Sequence, residues 1–246
     1  MARVLQAVTA LAVTAAAAGP SGVGRAAELR YAGAMISPVL VADSTRHARH
    51  GDVLSSGGGR VLSPGGRFLR FPAGSCLAPP CAQAIIVPRV PDGLGELGGP
   101  GPFAFGAAVR LTAEPPRAAG MNVWQHGLAG PGHAQWKLQV DGGVPACRWS
   151  DGAGVVLLRP AALRLPVGRW YVLRCARVSP VLFELRVFDR GSGAPVVAPV
   201  YATGRLGTIR PRGAPTVGGK RVDPARDDRQ TDQFHGDLDD VYFAYQ

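Results

Sequence analysis

Phe234-His-Gly-Asp-Leu-Asp-Asp-Val-Tyr-Phe-Ala-Tyr245 closes the chain as an alternating apolar run with two adjacent aspartates inside it. Successive side chains of a strand point to opposite faces. Strict alternation therefore sets Val241, Phe243 and Tyr245 on the face of Asp239, and Leu238 and Tyr242 on that of Asp240. One carboxylate is expected at or near a core-facing edge. Buried without partners it would be costly, so it needs backbone N–H donors, an arginine or a calcium ion. Asp239 and Asp240 are accordingly the candidate ligands of a structural calcium, with further oxygens drawn from other segments.

Upstream, short strand-like runs recur, most of them separated by Gly, Pro or Asp: Phe68–Phe71, Ala84–Val87, Phe103–Leu111, Asn122–Gln125, Gln135–Val140, Ala146–Trp149, Val155–Leu158, Trp170–Val178 and Phe183–Phe188. Gln135-Trp-Lys-Leu-Gln-Val140 and Phe183-Glu-Leu-Arg-Val187 alternate cleanly, as strands with one wet and one dry face do. No helical periodicity is sustained after the N-terminal segment, and prolines interrupt much of the chain. This pattern predicts an all-β, two-sheet antiparallel sandwich occupying residues 28–246 as one domain. Residues 28–67 offer only a short strand at Val39–Val41, and residues 205–233, with few apolar side chains, read as a long surface excursion.

Arg3, the mainly apolar run Val4–Ala18 and the small-residue pair Ala26-Ala27 have the order of a cleaved secretory signal, read here as residues 1–27. No other stretch is long and apolar enough to span a bilayer, so a secreted, extracellular protein is expected. Its formal charge of +10 falls to +8 once Arg3 and Arg25 are removed. Scattered arginines and abundant Ala, Gly and Pro fit a GC-rich bacterial genome; the charge would also attract anionic polymers. Nucleic acid is excluded as a partner because neither stacking platforms nor a recognition helix is evident. In an oxidising compartment the four cysteines should pair. Of the three connectivities, Cys76 with Cys81 and Cys147 with Cys175 is favoured, the second pair facing each other across neighbouring strands. A zinc site is disfavoured, since no C-x-x-C spacing or histidine pair is present.

The order of these elements resembles the laminin-G-like branch of the concanavalin A-like lectin and glucanase superfamily. Val41-Ala-Asp-Ser-Thr with Gly51 is similar to its opening segment, and Phe103-Ala-Phe-Gly-Ala-Ala-Val-Arg-Leu111 to its early long strand. Asn122-Val-Trp-Gln-His-Gly127, Gly168-Arg-Trp-Tyr171 with Cys175, and the closing run resemble later signatures. The resemblance covers residues 30–246 and implies a jelly roll in a secreted bacterial protein of actinobacterial type, often with sugar or protein recognition. It does not fix one activity. The Glu-x-Asp-x-x-Glu strand of the glucanase branch is missing, and Glu28, Glu96, Glu114 and Glu184 are each isolated. A non-enzyme is therefore expected, because glycoside hydrolysis needs two carboxylates at a fixed separation.

Sugars stack on exposed aromatic rings while polar side chains hold their hydroxyls. Trp124, Gln125, His126 and Trp149 are the candidate ligand-binding residues, with Trp136 and Trp170 assigned to the core and Glu184 to a solvated face. The expected partner is an extracellular glycan or cell-wall polymer. A structural or protein-interaction role in the cell envelope, with the basic Arg46–His50 cluster as its docking segment, is the alternative; a glycoside hydrolase ranks last.

Overall fold

The computed structural model describes residues 27–90, 97–115 and 120–246; the expected signal peptide, apart from its last residue, and Glu96 lie outside them. The chain starts with β1 (Leu29–Tyr31), β2 (Met35–Ser37), β3 (Leu40–Val41), β4 (Gly51–Ser56), β5 (Leu69–Arg70) and β6 (Gln83–Pro88). It continues through β7 (Phe103–Leu111), β8 (Gly120–His126), β9 (Ala134–Asp141), β10 (Val144–Asp151) and β11 (Val155–Leu158). The last strands are β12 (Trp170–Arg177), β13 (Leu182–Asp189), β14 (Val200–Thr203), β15 (Thr216–Val217) and β16 (Gly236–Tyr245), with one helical turn, α1 (Asp228–Thr231), before β16.

Two antiparallel sheets result. One has seven strands in the order β1-β16-β7-β12-β13-β14, with β5 paired to β16; the other has nine, β11-β10-β9-β8-β15-β6-β4-β3-β2. Alternation sends Phe103, Phe105, Val109 and Leu111 of β7 and Tyr171, Leu173 and Cys175 of β12 into the space between them. From the other sheet come Trp124, Trp136, Leu138 and Trp149, all 0% exposed. Phe105 packs on Trp136 at 4.6 Å between ring centroids and on Trp149 at 5.8 Å, so an aromatic cluster cements the sheets.

Both expected disulfides are present: Cys76–Cys81, and Cys147–Cys175 with Cα atoms 5.8 Å apart. Cys147 lies on β10 and Cys175 on β12, in different sheets, so the second bridge crosses the core instead of joining neighbouring strands. The apolar alternation of both strands explains why, since Cys147 and Cys175 occupy inward positions.

Two segments depart from the sequence reading. The supposed excursion over residues 205–233 contributes β15 to the middle of the nine-stranded sheet, between β8 and β6. Gln233 extends the pairing there: its Oε1 accepts from Ala84 N at 2.9 Å and its Nε2 donates to Ala84 O at 3.1 Å. The opening residues, in which one strand was expected, supply β1 to the seven-stranded sheet and β2, β3 and β4 to the edge of the other.

β16 also breaks strict alternation. Its register against β7 shifts between Asp239 and Tyr242, and Asp240 takes a left-handed φ of 51°. This bulge sets two side chains against one on the partner strand. Leu238, Val241 and Phe243 thus all face the core, whereas Asp237, Asp239, Tyr242 and Ala244 face away from it. Asp239 does not share a face with Val241 as alternation alone required.

Candidate binding site on the seven-stranded sheet

The outward face of this sheet is built by the residues that alternate with the core positions. Across neighbouring strands they form transverse rows. Arg30, Tyr242, Gly106, Arg174 and Arg186 make one; Arg70, Asp237, Arg110 and Trp170 make another. Gly106 is required where Tyr242 crosses it: a Cβ there would lie 2.9 Å from Tyr242 Cε1 and 2.3 Å from Leu173 O. Burial pushes the Tyr242 hydroxyl up to about 12, against the pull of Arg174.

Asp237, 0% exposed, anchors the second row. Arg70 Nε donates to its Oδ1 at 2.8 Å and Arg110 Nε to its Oδ2 at 2.8 Å. The same guanidinium of Arg110 lies 5.1 Å from the Phe68 ring centroid and 4.9 Å from that of Trp170, and Arg190 lies 4.7 Å from the Trp170 ring. Arg190 also pairs with Asp239, whose Oδ1 accepts from Asp240 N at 2.8 Å. Asp240 meets Arg30 Nε at 2.7 Å. At the far side Glu184, 4% exposed, bridges Arg174 Nη1 at 2.8 Å and Arg186 Nε at 2.5 Å.

Arg30, Arg70, Arg110, Arg174, Arg186 and Arg190 thus face four carboxylates, Asp237, Asp239, Asp240 and Glu184, an excess of two positive charges. The excess arises because Asp237 and Glu184 are each shared by two arginines. A guanidinium carries five N–H donors in a rigid fork, so a shared carboxylate leaves donors for another acceptor. Cationic donors beside half-buried Trp170 suit an anionic group carried on a partly apolar ring.

The residues singled out from sequence distribute differently. Trp124 and Trp149 are buried in the core and present no ring face to solvent, which corrects their assignment as stacking platforms; the large rings fill the space between sheets instead. His126, 0% exposed, also points inward, its ring nitrogens 3.1 Å from Leu97 O and 2.8 Å from Gly213 O. Gln125 alone of the four faces outward, on the nine-stranded sheet, where its Oε1 accepts from Asn122 Nδ2 at 2.5 Å. Asp239 and Asp240 are held by arginines, and among the described residues no group of three or more His, Cys, Asp or Glu side chains could hold a metal ion. These aspartates do not fit a calcium site.

Glu184 is a buried, doubly paired anchor and not a solvated side chain, because Arg174 and Arg186 flank it. Within Arg46–His50, Arg49 is 7% exposed and donates to Glu28 O at 3.2 Å, while His50 Nδ1 accepts from Asp43 N at 3.1 Å. That cluster folds its own loop and offers no continuous docking segment. Trp170, assigned to the core, belongs to the site. The signal lay in its own strand: Cys175 inward puts Leu173 and Tyr171 inward and Trp170 outward.

No protein-family model matches the chain, and no curated protein matches it in sequence. Solved structures match its fold. The binding domain of Paraclostridial Mosquitocidal Protein 1 is similar at a TM-score of 0.56 and 10% identity, over 89% of this chain and 48% of that one. The botulinum neurotoxin serotype D binding domain is similar at 0.55 and 8%, over 89% and 47%. Domains LG4-5 of the mouse laminin alpha1 chain align at 0.44 and 16% identity, over 61% of this chain and 36% of that one. The chain spans about half the length of the toxin binding domains it matches. Its fold is an all-β jelly roll of two antiparallel sheets.

Proposed function

We propose that this chain is a secreted, non-catalytic binding module that takes an acidic extracellular glycan on the outward face of the seven-stranded sheet. The observation that carries the reading is Trp170, half-buried between the guanidinium groups of Arg110 and Arg190 on a face with two uncompensated positive charges. The exposed part of the indole gives the sugar an apolar contact, and the spare N–H donors of the flanking guanidinium groups receive its carboxylate or sulfate. Every carboxylate of the face is engaged by arginine, which suits binding better than acid–base chemistry. Relatives in fold lend support: the binding domain of botulinum neurotoxin DC has been solved in complex with SialylT, and cell entry of type C is described as dependent upon interaction with two ganglioside molecules.

A screen of acidic and neutral glycans at two salt concentrations tests this. Acidic glycans should bind, neutral isosteres should not, and Trp170→Ala should weaken binding about tenfold or more while leaving the melting temperature within a few degrees. Equal binding of neutral glycans, or an undiminished Trp170→Ala, would overturn the proposal.

A further inference from the structure

The opposite face of the molecule repeats one motif of the first, with a part missing. On the seven-stranded sheet Arg174 and Arg186 stand directly opposite each other in neighbouring strands, and Glu184 bridges them. On the nine-stranded sheet Lys137 of β9 and Arg148 of β10 stand opposite each other in the same way. Both alternate with inward residues, Trp136 and Leu138 for one and Cys147 and Trp149 for the other, so both face outward. Like charges directly opposite destabilise a ladder unless something compensates them.

Here the protein compensates only one. Lys137 Nζ lies 3.4 Å from Asp232 Oδ2, a long contact, and the Lys137 side chain is only 13% exposed. Burial pushes the Lys137 ammonium below its ordinary range, with Asp232 and Asp141 opposing that shift. The Arg148 side chain makes no hydrogen bond or ion pair with any described residue, and its Nε is buried without an acceptor. A buried donor left unmade is expensive, and a charged one more so. Gln125 completes the row on the far side of Lys137, while Leu157, 50% exposed, borders Arg148 and leaves that flank open to solvent.

We propose that Lys137 and Arg148 form a second ligand site, distinct from the Trp170 face, which takes an oxyanion group (carboxylate, sulfate or phosphate) in the position that Glu184 fills between Arg174 and Arg186. The group bridges the two cations and accepts from Arg148 Nε. Asp232 and the segment leading into β16 wall the site on the side away from β11.

Lysine occurs only at positions 137 and 220, which makes the site directly observable. Protein carrying 13Cε-lysine should give two side-chain resonances, to be followed during titration with sodium sulfate against sodium chloride at matched ionic strength. The Lys137 resonance should shift saturably with sulfate and not with chloride, and Arg148→Gln should raise the half-saturation concentration about tenfold or more. A sulfated disaccharide and its unsulfated counterpart then separate the sources of the group: tighter binding of the sulfated sugar than of sulfate assigns it to a glycan, equal binding to the free ion. Trp170→Ala leaves this titration unchanged, so the two sites stand or fall apart. A shift that fails to saturate, that Lys220 shares in full, or that survives Arg148→Gln would overturn the proposal.

Discussion

Asp151 shows how a single carboxylate fixes a loop. Its Oδ1 accepts from Ala153 N at 2.9 Å and Gly154 N at 2.7 Å, and its Oδ2 from Gly207 N at 2.6 Å. Next to it Arg177, 1% exposed, donates to Leu206 O at 2.8 Å and Gly99 O at 2.9 Å, so residues 206 and 207 are pinned from both sides. Burial alone would raise the Asp151 carboxyl, but the backbone donors of Gly154, Gly207 and Ala153 together hold it below the ordinary 3.8. A depressed carboxylate contributes stability that is complete above its unfolded value and is lost as pH falls through the lower folded one. Asp151→Asn should therefore melt about 2–4 °C below the native chain at pH 7, equivalent to about 1 kcal/mol. Thermal unfolding followed at stepwise lower pH should show that gap closing below 3.8. A gap that persists unchanged into strong acid would assign the loss to packing.

At the scale of the element, the bulge in β16 decides which side chains meet which environment. Deleting Asp240 would remove the extra residue and restore plain alternation with Leu238, Val241 and Phe243 still inward and Tyr242 and Ala244 still outward, whereas one residue added after Val241 would turn Phe243 outward and drive Tyr242 and Ala244 inward. The lengthened chain should fail to fold cooperatively, whereas the deletion and Asp240→Gly, which adopts φ near 51° without strain, should keep a sharp transition, as circular dichroism melts would report. The bulge was invisible in the sequence because alternating and bulged readings of Leu-Asp-Asp-Val are locally equivalent; only the apolar demand of β7 beneath it selects one. The bounds of β7 and β11 were legible to the residue, since continuous apolar or alternating runs end there at turn residues. β15 was not, because two residues held in mid-sheet by β8 and β6 carry no periodicity of their own. Among site residues, Trp170 was readable by parity with Cys175, while the sharing of Asp237 by Arg70 and Arg110 depends on contacts across 167 and 127 positions of sequence.

At the scale of the whole molecule, two sheets presenting outward rows of opposed cations are held together by aromatic packing and by one covalent link. Replacing Cys147 and Cys175 by alanine should cost about 3.5 kcal/mol for a closed loop of 28 residues in the chain-entropy account, measurable by urea unfolding. A loss below about 1 kcal/mol would mean that the aromatic cluster alone fixes the sheets. Both sulfurs of this link belong to residues 0% exposed, deep between the sheets, whereas Cys76 lies partly open to solvent in a surface loop. A reductant therefore reaches the inner link only when the sandwich parts. Its cleavage rate should level off as thiol concentration rises, while that of Cys76–Cys81 keeps climbing. The core bridge thus acts as a clock, counting how often the two halves of the molecule come open.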